Sequence, residues 1–97
     1  MKKLSDEERE RRGRQAQAVL ENELVREAID GMRARAIERW RGHANVAERE
    51  EEWRFVRTVD EFERLLDVAI RAGQEVARMT EERARSRARM SRRFGLA

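Results

Sequence analysis

The side chains best equipped for chemistry in this sequence are arginines. Arg83, Arg85, Arg87, Arg89, Arg92 and Arg93 crowd the C-terminal end of the chain. A guanidinium holds its N–H donors in a planar fork that matches phosphate or carboxylate oxygens. A cluster of this kind suits an anionic partner, either DNA or an acidic protein surface. Arginines at alternate positions surround a helix, which fits a tail entering an anionic environment. It fits base reading in a major groove less well, since that needs one fixed face aimed at base edges. A solvated basic terminus is the competing reading. Met79, Met90, Phe94 and Leu96 add apolar character that could anchor the same tail on a protein.

Other chemistries find little support. His43 is the single histidine, and it has no second histidine or cysteine to complete a metal or general-base site. Carboxylates stand four apart at Glu48/Glu52 and Glu63/Asp67, but no Glu-x-x-His motif accompanies them, so they read as a solvated acidic face. Ser5, Ser86 and Ser91 lack a histidine nearby in sequence. Phosphate loops, dinucleotide fingerprints and nucleophile elbows are absent from the sequence. The expectation is a non-enzymatic protein with no cofactor, no metal and no small-molecule substrate.

The elements that position the arginines must be helices. Of the 97 residues, 44% are charged and 39% hydrophobic; proline, tyrosine and cysteine are missing, and five aromatics are present. A chain rich in Ala, Glu, Arg and Leu with few turn residues builds helices, not sheets. The length allows one small domain, whose limited core makes self-association a natural supplement. The pI of about 10.4 fits nucleic-acid binding, although 20 acidic residues offset 23 basic ones. Met1-Lys2-Lys3-Leu4 begins like a secretory leader, but Ser5-Asp6-Glu7-Glu8 stands where an apolar core would be needed. With no apolar run of about 20 residues, the membrane is not an expected partner. A cytoplasmic location is expected.

Three helices are predicted, over 6–20, 23–41 and 46–93. Ser5 with Glu8 forms a capping box before the first, and Asn22 caps the second. Val25, Ile29, Met32, Ala36 and Trp40 give the second helix one broad apolar face, with Gly31 in the pattern as a candidate for close packing. Gly42 fits a C′ position of positive φ, and Asn45 with Glu48 opens the last helix. A short turn between the second and third helices implies an antiparallel hairpin, with Trp40 and Trp53 meeting near its tip. In the third helix Phe55, Val59, Phe62, Leu66, Ala69, Gly73 and Val76 alternate at spacings of four and three, a heptad seam. It can serve as intrachain core or as a self-association surface. Acid-then-base pairs at Glu50/Arg54, Asp60/Arg64 and Asp67/Arg71 mark the exposed face. Residues 46–80 carry six arginines against nine acids, −3, whereas 81–97 carry six against two, +4. The second helix is too short to cover the third, so a second subunit is expected to cover part of it. The expected architecture is all-α: one domain over 1–97, a short first helix, then a hairpin with a very long last helix, assembled as an oligomer.

The run Arg12-Gly13-Arg14-Gln15-Ala16-Gln17-Ala18-Val19-Leu20, then Asn22, then Leu24-Val25-Arg26-Glu27-Ala28, Trp40 and Trp53, resembles small bacteriophage and prophage proteins of the DNA-packaging and head-assembly region. The likeness covers about residues 9–76. It departs from the pattern at Glu23, where a proline often follows the asparagine. The resemblance implies a small terminase subunit or related packaging factor that forms rings through helical hairpins and handles DNA for a large motor subunit. Small terminases commonly carry an N-terminal helix-turn-helix, and no recognition helix stands out in the first 45 residues, which keeps a head-assembly or portal-associated role beside it. An alternative is a protein-interaction module, an inhibitor or adaptor of a host complex, that binds no nucleic acid.

Overall fold

The computed structural model describes residues 3–95, so Leu96 and the basic start at Met1 and Lys2 lie outside the described residues. Three helices follow one another: α1 (Asp6–Glu21), α2 (Glu23–Gly42) and α3 (Val46–Arg93). Among the described residues there is no strand.

Short polar side chains set the helix boundaries. Ser5 Oγ accepts from the Glu8 amide at 3.2 Å, with Asp6, Glu7 and Glu8 against the positive end of the α1 dipole. Asn22 does two jobs at the break between α1 and α2. Its backbone N–H donates to the Val19 carbonyl, ending α1, while its side chain accepts from the Val25 amide at 3.1 Å, starting α2. Arg26 reaches back across the break and donates to the Leu20 carbonyl at 3.0 Å, satisfying an orphan acceptor. Asn45 accepts from Ala47 and Glu48 to open α3. Gly42 does not act as the expected left-handed terminator. It is the last residue of α2, and the helix stops on His43, extended at φ −87° and ψ 129°. Gly95 is the one positive-φ glycine among the described residues.

α1 and α2 lie end to end along α3, both antiparallel to it. The pairing descends one arm as it climbs the other: Arg39 meets Glu52, Arg33 meets Asp60 and Glu63, and Gly13 meets Gly73. The fold is therefore one hairpin whose first arm is broken at Asn22. As expected, α2 is too short to cover α3; the middle of the long helix, expected to need a second subunit, is covered in part by α1 of the same chain.

The α1–α3 crossing depends on absent side chains. A Cβ on Gly13 would stand 3.0 Å from the Ala69 carbonyl oxygen and 3.2 Å from Gly73 Cα. A Cβ on Gly73 would stand 3.0 Å from the Arg9 carbonyl oxygen. Two glycines thus let the helix backbones touch. Gly31, the glycine expected to pack closely, meets only its own helix's Arg35.

The core is small. Ala16, Ile29, Ala36, Val59 and Val76 are its buried apolar residues. The molecule measures 75 × 30 × 20 Å with a radius of gyration of 21.4 Å, against about 12.5 Å for a compact chain of this length. Its accessible surface is 8274 Å², whereas a compact monomer of this mass would expose about 5,800 Å².

Candidate interaction surfaces

The Arg-rich segment is the continuation of α3 beyond its contact with α1. Arg83, Arg85, Arg87, Arg89, Arg92 and Arg93 are all exposed. Because the segment is helical through Arg93, the alternating arginines sort onto separate faces. Arg85, Arg89 and Arg92 stand four and three apart on one side, and Arg83 and Arg87 share another. The last intrahelical ion pairs of α3 belong to Arg78, which meets Glu75 at 2.7 Å and Glu82 at 3.0 Å. Beyond it, among the described residues, none of the six arginines meets a carboxylate. Arg93 lies 5.8 Å from the Phe94 ring, and Met90 and Phe94 are exposed. The face Arg85–Arg89–Arg92 is chemically free to accept phosphate or carboxylate oxygens.

The heptad seam is divided in its burial. Val59, Gly73 and Val76 are buried, and Leu66 and Ala69 are half-buried. Phe55 and Phe62 stay 39% and 47% exposed. The intrachain arm thus covers one flank of the seam and leaves the other open, where Leu65 and Val68 also lie exposed. The seam residues come together within one chain. The structure describes one chain and places no second copy against them.

At the hairpin tip, Trp40 and Trp53 line a shared cleft of about 350 Å³ with Ala36, Ile37, Glu52 and Val56. Both tryptophans are exposed, and Arg49 lies 4.4 Å over the Trp40 ring while its Nε donates to the Trp40 carbonyl at 3.2 Å. That arginine closes the turn from the α3 side.

Cross-helix ion pairs are the part least visible in the sequence. Arg33 of α2 sits between Asp60 and Glu63 of α3, 2.8 Å from each. The hydrogen bond to Asp60, with Glu63 adding to it, raises the Arg33 pKa. Arg39 donates to Glu52 at 2.9 Å and holds that carboxyl below its ordinary range. His43 Nδ1 lies 2.9 Å from Glu48, so the solitary histidine is tied to the start of α3. Of the three acid-then-base pairs, Glu50/Arg54 and Asp67/Arg71 form. Asp60/Arg64 does not: Asp60 turns to Arg33, and Arg64 takes Glu61 at 2.6 Å, lowering that glutamate's pKa. The carboxylates four apart therefore serve as partners for arginine and histidine. Among the described residues no three His, Cys, Asp or Glu side chains converge to hold a metal ion, and no helix is long and apolar enough to cross a membrane.

No protein-family model, curated protein or solved structure matches the chain.

Proposed function

We propose that this chain is a non-enzymatic assembly protein that associates with copies of itself along its helical hairpin and holds DNA with the overhanging end of α3. The observation that carries the reading is the exposed face Arg85–Arg89–Arg92, a row of guanidinium groups that meets no carboxylate among the described residues, on the part of α3 beyond its contact with α1. The half-covered seam and the excess accessible surface support self-association. The resemblance of residues 9–76 to phage proteins supplies a setting, DNA packaging or head assembly, in which a small oligomeric DNA-contacting factor has a job.

Three phosphate contacts predict a slope of log K against log salt of about −2.7 on duplex DNA. Fluorescence anisotropy with a labelled duplex of arbitrary sequence should show that slope. The Arg85→Gln/Arg89→Gln/Arg92→Gln variant should lose most of it. A full-length chain that does not bind DNA even at low salt refutes the DNA half of the reading. A second reading, docking on an acidic protein surface, is favoured by Met90 and Phe94, exposed apolar side chains among the arginines that a phosphate backbone does not require. It gains ground where DNA binding fails and a polyglutamate-rich surface competes for the same three arginines.

A further inference from the structure

We propose that α3 carries a second heptad seam beside the one its own arm covers, and that a second copy of this chain, running antiparallel, occupies it. The proposal rests on the self-association half of the reading above and gives it a surface and an orientation.

The pattern is explicit in the sequence and its burial. Phe62, Leu65, Ala69, Ala72, Val76 and Met79 follow one another at alternating spacings of three and four. The same register reaches back through Thr58 to Phe55 and forward through Arg83 and Ser86 to Met90, with polar side chains at Thr58, Arg83 and Ser86. From Phe62 to Met79 the alternation is apolar throughout, the signature of a helix that meets another helix along its length. The two seams share Phe55, Phe62, Ala69 and Val76 and differ in their other row. Val59, Leu66 and Gly73 face the intrachain arm and are buried or half-buried. On the other side Leu65 is 57% exposed, Met79 41% and Met90 57%. Grooves of about 480 Å³ and 390 Å³ run beside Leu65, Ala69 and Ala72, with Val19 and Leu4 of the first arm on their far walls. The second seam also continues past the point where α1 ends its contact with α3, so the chain's own arm does not reach its last turns.

A second copy fits this surface by area and by charge. The chain exposes 8274 Å², about 2,400 Å² more than a compact monomer of its mass. That excess is about three times the 800 Å² that each partner buries in a standard interface. Charge fixes the direction. Residues 46–80 carry −3 and 81–97 carry +4, so a parallel pair would set six arginines beside six arginines. An antiparallel pair lays each basic end along the acidic stretch of the other copy. The seam from Phe55 to Met90 has its midpoint between Ala72 and Gly73. Pairing about that point brings Arg83 level with Phe62 and Arg87 level with Thr58, next to the exposed Glu61. Arg85, Arg89 and Arg92 lie on another side of the helix and stay open to an anion.

The chain contains no cysteine, so single thiols can report the orientation. Thr58→Cys and Ser86→Cys alter exposed seam positions near opposite ends of one antiparallel pair. Mixed and oxidised, the two variants should give a heterodisulfide joining position 58 of one copy to position 86 of the other, while each variant alone stays uncrosslinked. Sedimentation equilibrium of the parent should show a dimer across the micromolar range. Leu65→Glu/Met79→Glu should be monomeric with its helix content, read by circular dichroism, retained. A parent that is monomeric throughout overturns the proposal, as do like-to-like disulfides at either position or a dimer that survives Leu65→Glu/Met79→Glu. A parent monomer that still binds DNA counts against self-association altogether and leaves the DNA reading standing; a dimer that survives Leu65→Glu/Met79→Glu counts against this seam alone; a dimer with the expected disulfide that ignores DNA counts against the DNA reading alone.

Discussion

Replacing single glycines by alanine should have opposite signs at two places in this chain. In a helix interior alanine is favoured over glycine by about 1 kcal/mol. At Gly31 the new Cβ would meet nothing closer than Arg35 Nη1 at 3.5 Å, the flexible end of a side chain. Gly31→Ala should therefore keep the helical gain and raise the unfolding midpoint by about 4–8 °C, the shift expected for about 1 kcal/mol in a domain of this size. At Gly13 the neighbours are the Ala69 carbonyl oxygen at 3.0 Å and Gly73 Cα at 3.2 Å, both backbone atoms. Neither can swing aside, so α1 and α3 must move apart. Overpacking of this kind costs about 1–3 kcal/mol. Against the propensity gain, Gly13→Ala should be neutral to about 2 kcal/mol destabilising. Gly73→Ala meets the Arg9 carbonyl at 3.0 Å and should behave alike. The double variant opposes two Cβ atoms at one crossing, so its loss should exceed the sum of the single losses. Thermal unfolding followed by far-ultraviolet circular dichroism, at one fixed concentration, measures all four. If Gly13→Ala and Gly73→Ala raise the midpoint as much as Gly31→Ala does, the backbone-to-backbone crossing is wrong.

Other expectations concern the turn, the break and acid. Arg49→Ala removes both the stacking on Trp40 and the hydrogen bond to its carbonyl; a loss of about 1 kcal/mol and a changed tryptophan emission should follow. Asn22→Ala deletes the cap that starts α2, at about 1 kcal/mol, read by urea unfolding. Glu52, Glu61 and Glu75 have folded pKa values lowered by Arg39, Arg64 and Arg78 respectively. Groups depressed in the folded state contribute stability that is whole above their unfolded value near 4.5. It is lost as pH falls through the lower folded values. The unfolding midpoint should accordingly drop on acidification below that value, and Arg39→Gln should shrink the drop by removing the Glu52 share.

Much of the fold is readable from local chemistry, and the exceptions share a cause. Ser5, Asn22 and Asn45 announce the helix starts because capping is a short-range event between neighbours. The heptad seam of α3 announces a buried stripe because its period is local too. The α1–α3 contact is silent because its buried residues are Gly13 and Ala16, which carry little apolar weight among the charges of α1. An interior glycine in each of two otherwise charged or amphipathic helices is the available signal. By spacing Asp60 is the partner of Arg64, and only the approach of α2 gives it Arg33 instead. Counted along the chain, the arginines surround the helix. Once α3 is continuous to Arg93, five of the six resolve into a row of three and a pair, with Arg93 at the helix end.

The division of charge along α3 gives the net charge of +3 little meaning for a partner. Electrostatic fields fade over about 8 Å at physiological salt, and the molecule is 75 Å long. A polyanion near the basic end is therefore shielded from the acidic stretch and meets a local cation, not a nearly neutral protein. Along the other half of α3, where Arg33 and Arg39 of the packed arm pair with Asp60, Glu63 and Glu52, the same anion finds no comparable attraction. Diffusing chains should be turned end-on before they touch, so that orientation on a polyanion is selected during the encounter and becomes less selective as salt is added.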